Sequence, residues 1–475
     1  MSSAPTLQKP PRTSVVEAGG IEAIPLERRH GSPFQLIATW SAPNLEFATI
    51  FVGVIAVAFF GLGFWQAMAA LVLGNVLGSI TQGILSTWGP REGLAQMVLG
   101  RSAFGYRGNI LPAALNTLMA GIGWFAVNSV SGALALHTLT GMPTVLALLL
   151  IVIVEVAVAF IGHDIVQQFE RYATIVLGII FVIATITVFL HADLGGVVKG
   201  GGYSFAGFTL AAAAAFGYAA GWNPYASDFS RYLSPTVSRA KVAFSAGLGN
   251  VVTCTVLMAA GAAAATIAGF DADDPTASFT ASMPSVVSAL TLIAIAVGAV
   301  AANALNIYSG AMSFLAAGIR LPFALRRAIV ALGFGVIGFF VAWSALPNAG
   351  ATYENFLLVI AYWIAPWLGI VLVDRMLRRG TAVAPLLTDR TRYRNPAGLI
   401  AFVIAALASI LLFSNQTFYT GPVAAAAPIG DLTPLVGFLL AAALYAVFFR
   451  VLRPALGERI GAEVQQPPVD VDAAS

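Results

Sequence analysis

The chain has 475 residues, of which 59% are hydrophobic and only 9% charged. Soluble domains carry roughly a quarter charged residues, so the composition excludes a soluble globular protein and leaves a polytopic membrane protein. No region is polar enough to present the clustered basic face of a nucleic-acid binder. The single cysteine, Cys254, lies in an apolar run and excludes intrachain disulfides and cysteine-based metal clusters.

Residues 1–33 are polar, lack a signal-peptide layout and read as a cytoplasmic tail. A spanning helix needs about 20 apolar residues. Twelve stretches qualify, near 36–60, 63–87, 108–137, 143–162, 171–191, 206–232, 239–268, 283–314, 323–345, 352–376, 397–414 and 432–452. The net charge of +3 is uninformative, but its placement tests the count. With the N-terminus inside, the inner connections hold Arg91, Arg101 and Arg107, then Arg171, then Arg231, Arg239 and Lys241. The next two hold Arg320, Arg326 and Arg327, and, around a loop at 378–395, Arg375, Arg378, Arg379, Arg390, Arg392 and Arg394. Of 24 Lys and Arg residues only Lys199 falls outside, in the Gly-rich loop 192–205. A miscounted span would invert every later loop, so this pattern predicts twelve spans with both tails, 1–33 and 454–475, in the cytoplasm. The acidic outer loop 269–282, with Asp271, Asp273 and Asp274, reads as a solvated loop with a short surface helix; an external cation site is the lesser alternative.

Spans 1 and 6 carry polar interruptions, Ser41 to Thr49 in the first and Gly221, Trp222, Asn223 and Pro224 in the second. They lie five spans apart. Paired broken helices at corresponding positions mark a transporter binding site, because freed backbone groups are tolerated only where they line a cavity. The halves are spans 1–5 over 34–191 and spans 6–10 over 206–377, with two further spans in 396–453.

Burying an amide or a charge in hydrocarbon is unfavourable without a partner. In span 3, Trp124 and Asn128 are i, i+4 and share a face, with Gly121 and Gly123 leaving room beside them. Trp222 stands at the span 6 break, and two tryptophans on separate spans can sandwich a planar ring. Asn303 and Asn306 share a face of span 8, and a carboxamide matches the donor and acceptor edge of a nucleobase or cyclic amide. Trp124, Asn128, Asn303 and Asn306 also read as interhelical packing or hydrogen bonding, and Trp222 as an interfacial anchor. Glu46, beside the first break, is a candidate to carry a coupling proton, and its neighbour Thr49 a candidate to reach the ligand. Glu155 in span 4 has no partner visible in the sequence. Asp228 and Arg231, i, i+3, form a candidate pair at the inner mouth of span 6, as a gate or a topology anchor.

A membrane-embedded enzyme would need a nucleophile–base pair or a metal cluster. His30, His137, His163 and His191 have no such spacing, and no GxxxxGK[ST] phosphate loop is present. Paired breaks within one chain argue against a channel. No cofactor is expected, and the oligomeric state is not encoded in any pattern read here.

Asn223 and Pro224, followed by Ser227, Asp228, Phe229, Ser230, Arg231 and Tyr232, resemble the span 6 signature of the purine–cytosine permeases, among the nucleobase–cation symporters. Leu73, Gly74, Asn75, Val76 and Leu77, Gly89, Arg101 to Gly105, and Gly123, Trp124 and Phe125 are similar to the same family, and the likeness runs from about residue 25 to 455. The resemblance implies a leucine-transporter-type fold: two inverted five-helix repeats plus two extra helices, with alternating access. It implies that Trp124 and Trp222 face the base, that Asn128, Asn303 and Asn306 hydrogen-bond it, and that Thr49 assists from span 1. The implied substrate is a small planar nucleobase, cytosine or a purine, with uracil, allantoin, a hydantoin or thiamine carried by relatives. One departure bears on coupling. Sodium-coupled relatives place hydroxyls in span 8 just before the substrate asparagine, where this chain has Ala301 and Ala302. That favours H+ over Na+ as the coupling cation, unless Ser309 or Ser313 takes the place of those hydroxyls.

Overall fold

The computed structural model describes residues 20–161, 163–195, 203–319, 326–388 and 393–459. Lys199, Arg320, Arg390, Arg392 and the outer parts of both tails lie outside the described residues. Among the described residues the regular structure is helical apart from a two-residue antiparallel pair, Thr381–Ala382 with Glu458–Arg459, and an isolated bridge between Asn415 and Thr420.

Nine helices among the described residues are long and apolar enough to cross a membrane, and a bent pair, Gln35–Asn44 with Phe47–Phe59, makes a tenth. One of the nine, Ile329–Leu377, is 49 residues long. That is about 74 Å of helix, over twice a hydrocarbon core of about 30 Å, and a 3₁₀ turn at Leu346–Asn348 interrupts it. Read as two spans, and with the 18-residue helix Thr144–Ile161 added, the arrangement is consistent with twelve. Span 5 begins earlier than its hydropathy suggests, as the helix His163–His191.

Span 2 shows how the sequence packs these helices. Along Phe64–Ser86, Leu73, Leu77, Ile80 and Ile84 face outward, while Ala67, Ala70, Gly74 and Gly78 are buried. The small face lies on span 6, Phe205–Ala220: a Cβ on Gly74 would meet the Ala212 carbonyl at 2.5 Å, and one on Gly78 the Ala220 nitrogen at 2.7 Å. Spans 1 and 7 approach in the same way. A Cβ on Gly53 would sit 1.8 Å from the Met258 carbonyl, and one on Gly261 would sit 1.8 Å from the Ile50 carbonyl. Such small-residue faces let backbones touch where lipid offers no hydrophobic drive for association. They press spans 1, 2, 6 and 7 together around the two interruptions.

The arginine-bearing connections meet at one end. Arg91 donates to the Thr381 carbonyl at 2.8 Å, Arg101 to Ala316 at 3.0 Å and Arg29 to Pro90 at 2.8 Å. At the other end, Asp274 caps a short helix, Pro275–Ala281, through the Ala277 nitrogen at 3.3 Å. The acidic loop therefore holds the short helix its sequence suggests. Asp431, buried at the start of the last span, accepts from the Asn415 and Thr433 nitrogens and from the Tyr362 hydroxyl. Its burial raises its carboxyl above the usual range.

Candidate substrate site

Span 1 is interrupted where Pro43 removes a backbone donor. The helix Gln35–Ser41 passes into a 3₁₀ turn at Ala42–Asn44 and restarts as Phe47–Val54 after a bend of 63°. Glu46 caps the restarted helix, its Oε2 accepting from the Ala48 nitrogen at 2.8 Å. Span 6 is interrupted more mildly. Phe205–Ala220 passes through Gly221 and Trp222 into a 3₁₀ turn at Asn223–Tyr225 and a last turn at Ala226–Ser230, with every linking residue in right-handed helical geometry.

The two interruptions are tied together. Trp222 Nε1 donates to Asn44 Oδ1 at 2.8 Å, and Asn44 Nδ2 donates to the Trp40 carbonyl at 2.7 Å and to Asn250 Oδ1 at 3.1 Å. Asn250 in span 7 in turn donates to the Ala219 carbonyl at 3.0 Å. Thr49 donates to the Asn44 carbonyl at 2.6 Å and contacts the Tyr218 hydroxyl, which donates to Glu46 Oε1 at 3.1 Å.

Trp124 and Trp222 are both buried, and their rings lie nearly parallel, with centroids 6.4 Å apart and planes 11° off. Trp124 stands at the end of a π-helical turn, Met119–Trp124, a local widening of the helix often found at functional positions. Gly221 makes the approach possible: a Cβ there would meet Trp124 Cζ2 at 3.2 Å. The rims of Tyr218 and Phe356 close around Trp124 at 5.3 and 5.2 Å, and Trp40 and Tyr225 flank Trp222. Gly121 and Gly123 do make room beside Trp124, but for protein. Phe334 and Phe356 fill it, 2.4 and 2.3 Å from where the Cβ atoms would be.

Beside the ring pair lies an amide cluster. Asn303 Oδ1 accepts from Asn128 at 3.0 Å and from Asn306 at 3.2 Å, while its Nδ2 donates to the Phe125 carbonyl at 3.0 Å and to Ser129 Oγ at 3.3 Å. That uses all four hydrogen-bonding positions of a carboxamide. In this arrangement Asn303 is held by protein on all four positions and orients Asn128 and Asn306. Asn128 Oδ1, by contrast, is buried without a partner, a cost of about 1–3 kcal/mol unless something donates to it. Glu155, fully buried, lies 2.6 Å from Ser129 Oγ, the partner its sequence position concealed.

The remaining candidates sit elsewhere. Asn223 donates to Thr81 Oγ1 in span 2 at 2.8 Å, and Pro224 lies within the 3₁₀ turn. Asp228 and Arg231 do not pair. Asp228 Oδ1 accepts from the Gln96 nitrogen at 2.8 Å, whereas Arg231 donates to the Gly20 carbonyl at 3.1 Å and the Tyr308 hydroxyl at 3.4 Å. Each side chain instead ties span 6 to a different inner segment. Tyr218, Asn44 and Asn250 were not singled out by the sequence. Asn44 stood inside the visible break, and Tyr218 lies one helical turn before Trp222.

A family model described as permease for cytosine/purines, uracil, thiamine, allantoin matches residues 23–437. The chain belongs to this permease family. The purine-cytosine permease fcyB of Emericella nidulans is 30% identical over 456 residues, covering 92% of this chain and 88% of that protein. The purine-cytosine permease FCY2 of Saccharomyces cerevisiae is 25% identical over 483 residues, covering 92% and 86%. Among solved structures, Mhp1, a nucleobase-cation-symport-1 family transporter in a closed conformation with bromovinylhydantoin bound, superposes with a TM-score of 0.72 at 20% identity, covering 93% of this chain and 97% of that one. A Na+-coupled sialic acid symporter follows the same fold with a TM-score of 0.64 at 13% identity, covering 90% and 92%. The permease is thus a multi-pass membrane transporter of the nucleobase type with a leucine-transporter-type fold, and not an enzyme.

Proposed function

We propose that this permease imports a nucleobase, cytosine or a purine, across the cytoplasmic membrane by proton symport and alternating access, with both termini inside. The observation that carries this reading is the parallel pair Trp124 and Trp222, 6.4 Å apart, with the unpartnered Asn128 Oδ1 on the same face of span 3. A ring stacked on both faces needs about 3.5 Å on each side, so a slight parting of the two indoles admits one base. An exocyclic amino group of the base then donates to Asn128. Asn306 and Thr49 border the same space, and Asn303 holds the amides in place.

Proton coupling is supported by span 8. A Cβ on Gly298 would lie 2.3 Å from the Leu45 carbonyl, so this part of span 8 faces the span 1 break, and Ala301 and Ala302 follow it. Methyl groups offer sodium no oxygen. Ser309 and Ser313 lie seven and eleven residues beyond Ala302, about 11 and 16 Å further along the helix from the span 1 break. Glu46, held at the break by Ala48 and Tyr218, is the carboxyl placed to carry the proton. Asp228 and Arg231 secure the inner mouth.

A related cyclic amide is the second reading, favoured by Mhp1 with its bound hydantoin and by a hydantoin permease of Microbacterium maritypicum, 27% identical over 154 residues. Uptake of labelled cytosine, competed by purines, uracil, allantoin and hydantoins at two external pH values with and without sodium, separates these. The account expects competition by purines and uptake that rises with external acidity and ignores sodium. Competition by hydantoins alone, or strict sodium dependence, overturns it.

A further inference from the structure

At the arginine-bearing end, a cavity of about 120 Å³ opens where the turn after span 2, the start of span 7 and the end of span 10 meet. Its lining includes Trp88, Arg91, Arg239, Arg375, Arg378 and Arg379. Two carboxylates stand near these five guanidiniums. Glu92 takes Arg375 at 2.6 Å and Arg91 at 3.7 Å, and Asp374 takes Arg378 at 2.8 Å. Arg378 is buried and further committed to Ser102, Tyr393 and the Ala455 carbonyl, so it belongs to the framework. Arg375 lies 5.3 Å over the Trp88 ring, which fixes its plane. Arg239 and Arg379 are exposed, and among the described residues neither has an ion-pair partner. The cavity therefore concentrates an excess of three positive charges, supplied by groups whose planar forks match phosphate oxygens.

The helices that lead into Trp88 and away from Arg239 carry exposed apolar side chains. Ile84 lies one helical turn before Trp88, with Ile80 one turn further, and Phe244 lies five residues into the helix that Arg239 opens. All three side chains are exposed on the lipid-facing surface. A cationic cavity joined to an apolar, outward-facing wall fits a molecule with a phosphate at one end and hydrocarbon at the other. Basic pockets between helices at the membrane surface bind anionic lipid headgroups. We propose that this cavity holds the phosphate of an anionic phospholipid, whose acyl chains run along Ile84, Ile80 and Phe244, and which fastens the inner ends of spans 2, 7 and 10 to one another. Free phosphate shares the headgroup chemistry but would leave the apolar wall unused.

The test is lipid retention by the purified full chain in neutral detergent, read by native mass spectrometry, with phosphatidylglycerol, phosphatidylcholine or inorganic phosphate added. Thermal unfolding of the same samples is the second readout. Wild-type protein is expected to retain phosphatidylglycerol over phosphatidylcholine by about tenfold or more and to melt higher with the former. The double substitution Arg239→Gln with Arg379→Gln is expected to remove most of that preference while leaving base binding intact, which shows that the variant is folded. Equal retention of the two lipids, an unchanged preference in the double variant, or stabilisation by inorganic phosphate equal to that by phosphatidylglycerol overturns the proposal.

Discussion

The interruptions of spans 1 and 6 do opposite jobs. Span 1 bends by 63°, spends its side chains on repairing its own backbone, and leaves Glu46 as a cap inside the protein. Span 6 barely deviates from helical geometry and uses its interruption to turn Trp222 toward Trp124. The sharper break is thus the scaffold and the gentler one the proposed binding surface. Asn44 joins the two, since it ends the first break and holds the indole nitrogen of the second. The Thr49 and Glu46 contacts with Tyr218 join the same two breaks one helical turn earlier in span 6.

Substitutions at each break separate these roles. The largest effect is expected at Gly298→Leu. The position is tight against the Leu45 carbonyl and Glu46 Cβ, 2.3 and 3.1 Å from a first side-chain atom. Overpacking of this kind costs about 1–3 kcal/mol or more, and here it forces the span 1 bend away from span 8. Uptake should vanish while membrane insertion, followed by a fluorescent tag, persists; normal uptake would show that the bend is not constrained by span 8. Asn44→Ala comes next. It strands Trp222 Nε1, a loss of about 1–3 kcal/mol, and leaves Asn250 Oδ1 with only the Cys254 thiol as donor. Base affinity should fall between about fivefold and about a hundredfold, and an unchanged Kd would remove the proposed link between the breaks. Asn223→Ala is the mildest. It deletes one bond to Thr81 in span 2, worth about 1 kcal/mol, so transport should stay within a few-fold of wild type. A complete loss would move Asn223 into the site.

Membrane class, span positions and both interruptions were legible because hydrophobic length and arginine placement are one-dimensional signals. The pairing of Trp124 with Trp222 was legible because each stood beside glycine and near an asparagine on its own span. Partnerships across spans were not. Nothing in the run around Glu155 points to Ser129, 26 residues earlier, and nothing around Asp228 points to the Gln96 backbone rather than to Arg231. Asn303 shows the same limit. Its residue type suits a ligand, and the sequence gives no sign of the four protein groups that hold its carboxamide. Helical spacing reveals which residues share a face, and only tertiary packing decides whether that face still has hydrogen-bonding capacity left over.

The central claim, that the base is held between Trp124 and Trp222, is tested most directly by equilibrium binding of the best-competing labelled base to purified wild type, Trp124→Ala, Trp222→Ala and Trp222→Phe. Each alanine variant should lose at least about tenfold in affinity, since a stacking partner contributes roughly 0.5–1.5 kcal/mol beyond its buried area. Trp222→Phe, which keeps a ring but not the bond to Asn44, should fall between wild type and Trp222→Ala. Wild-type affinity in both alanine variants would contradict the account.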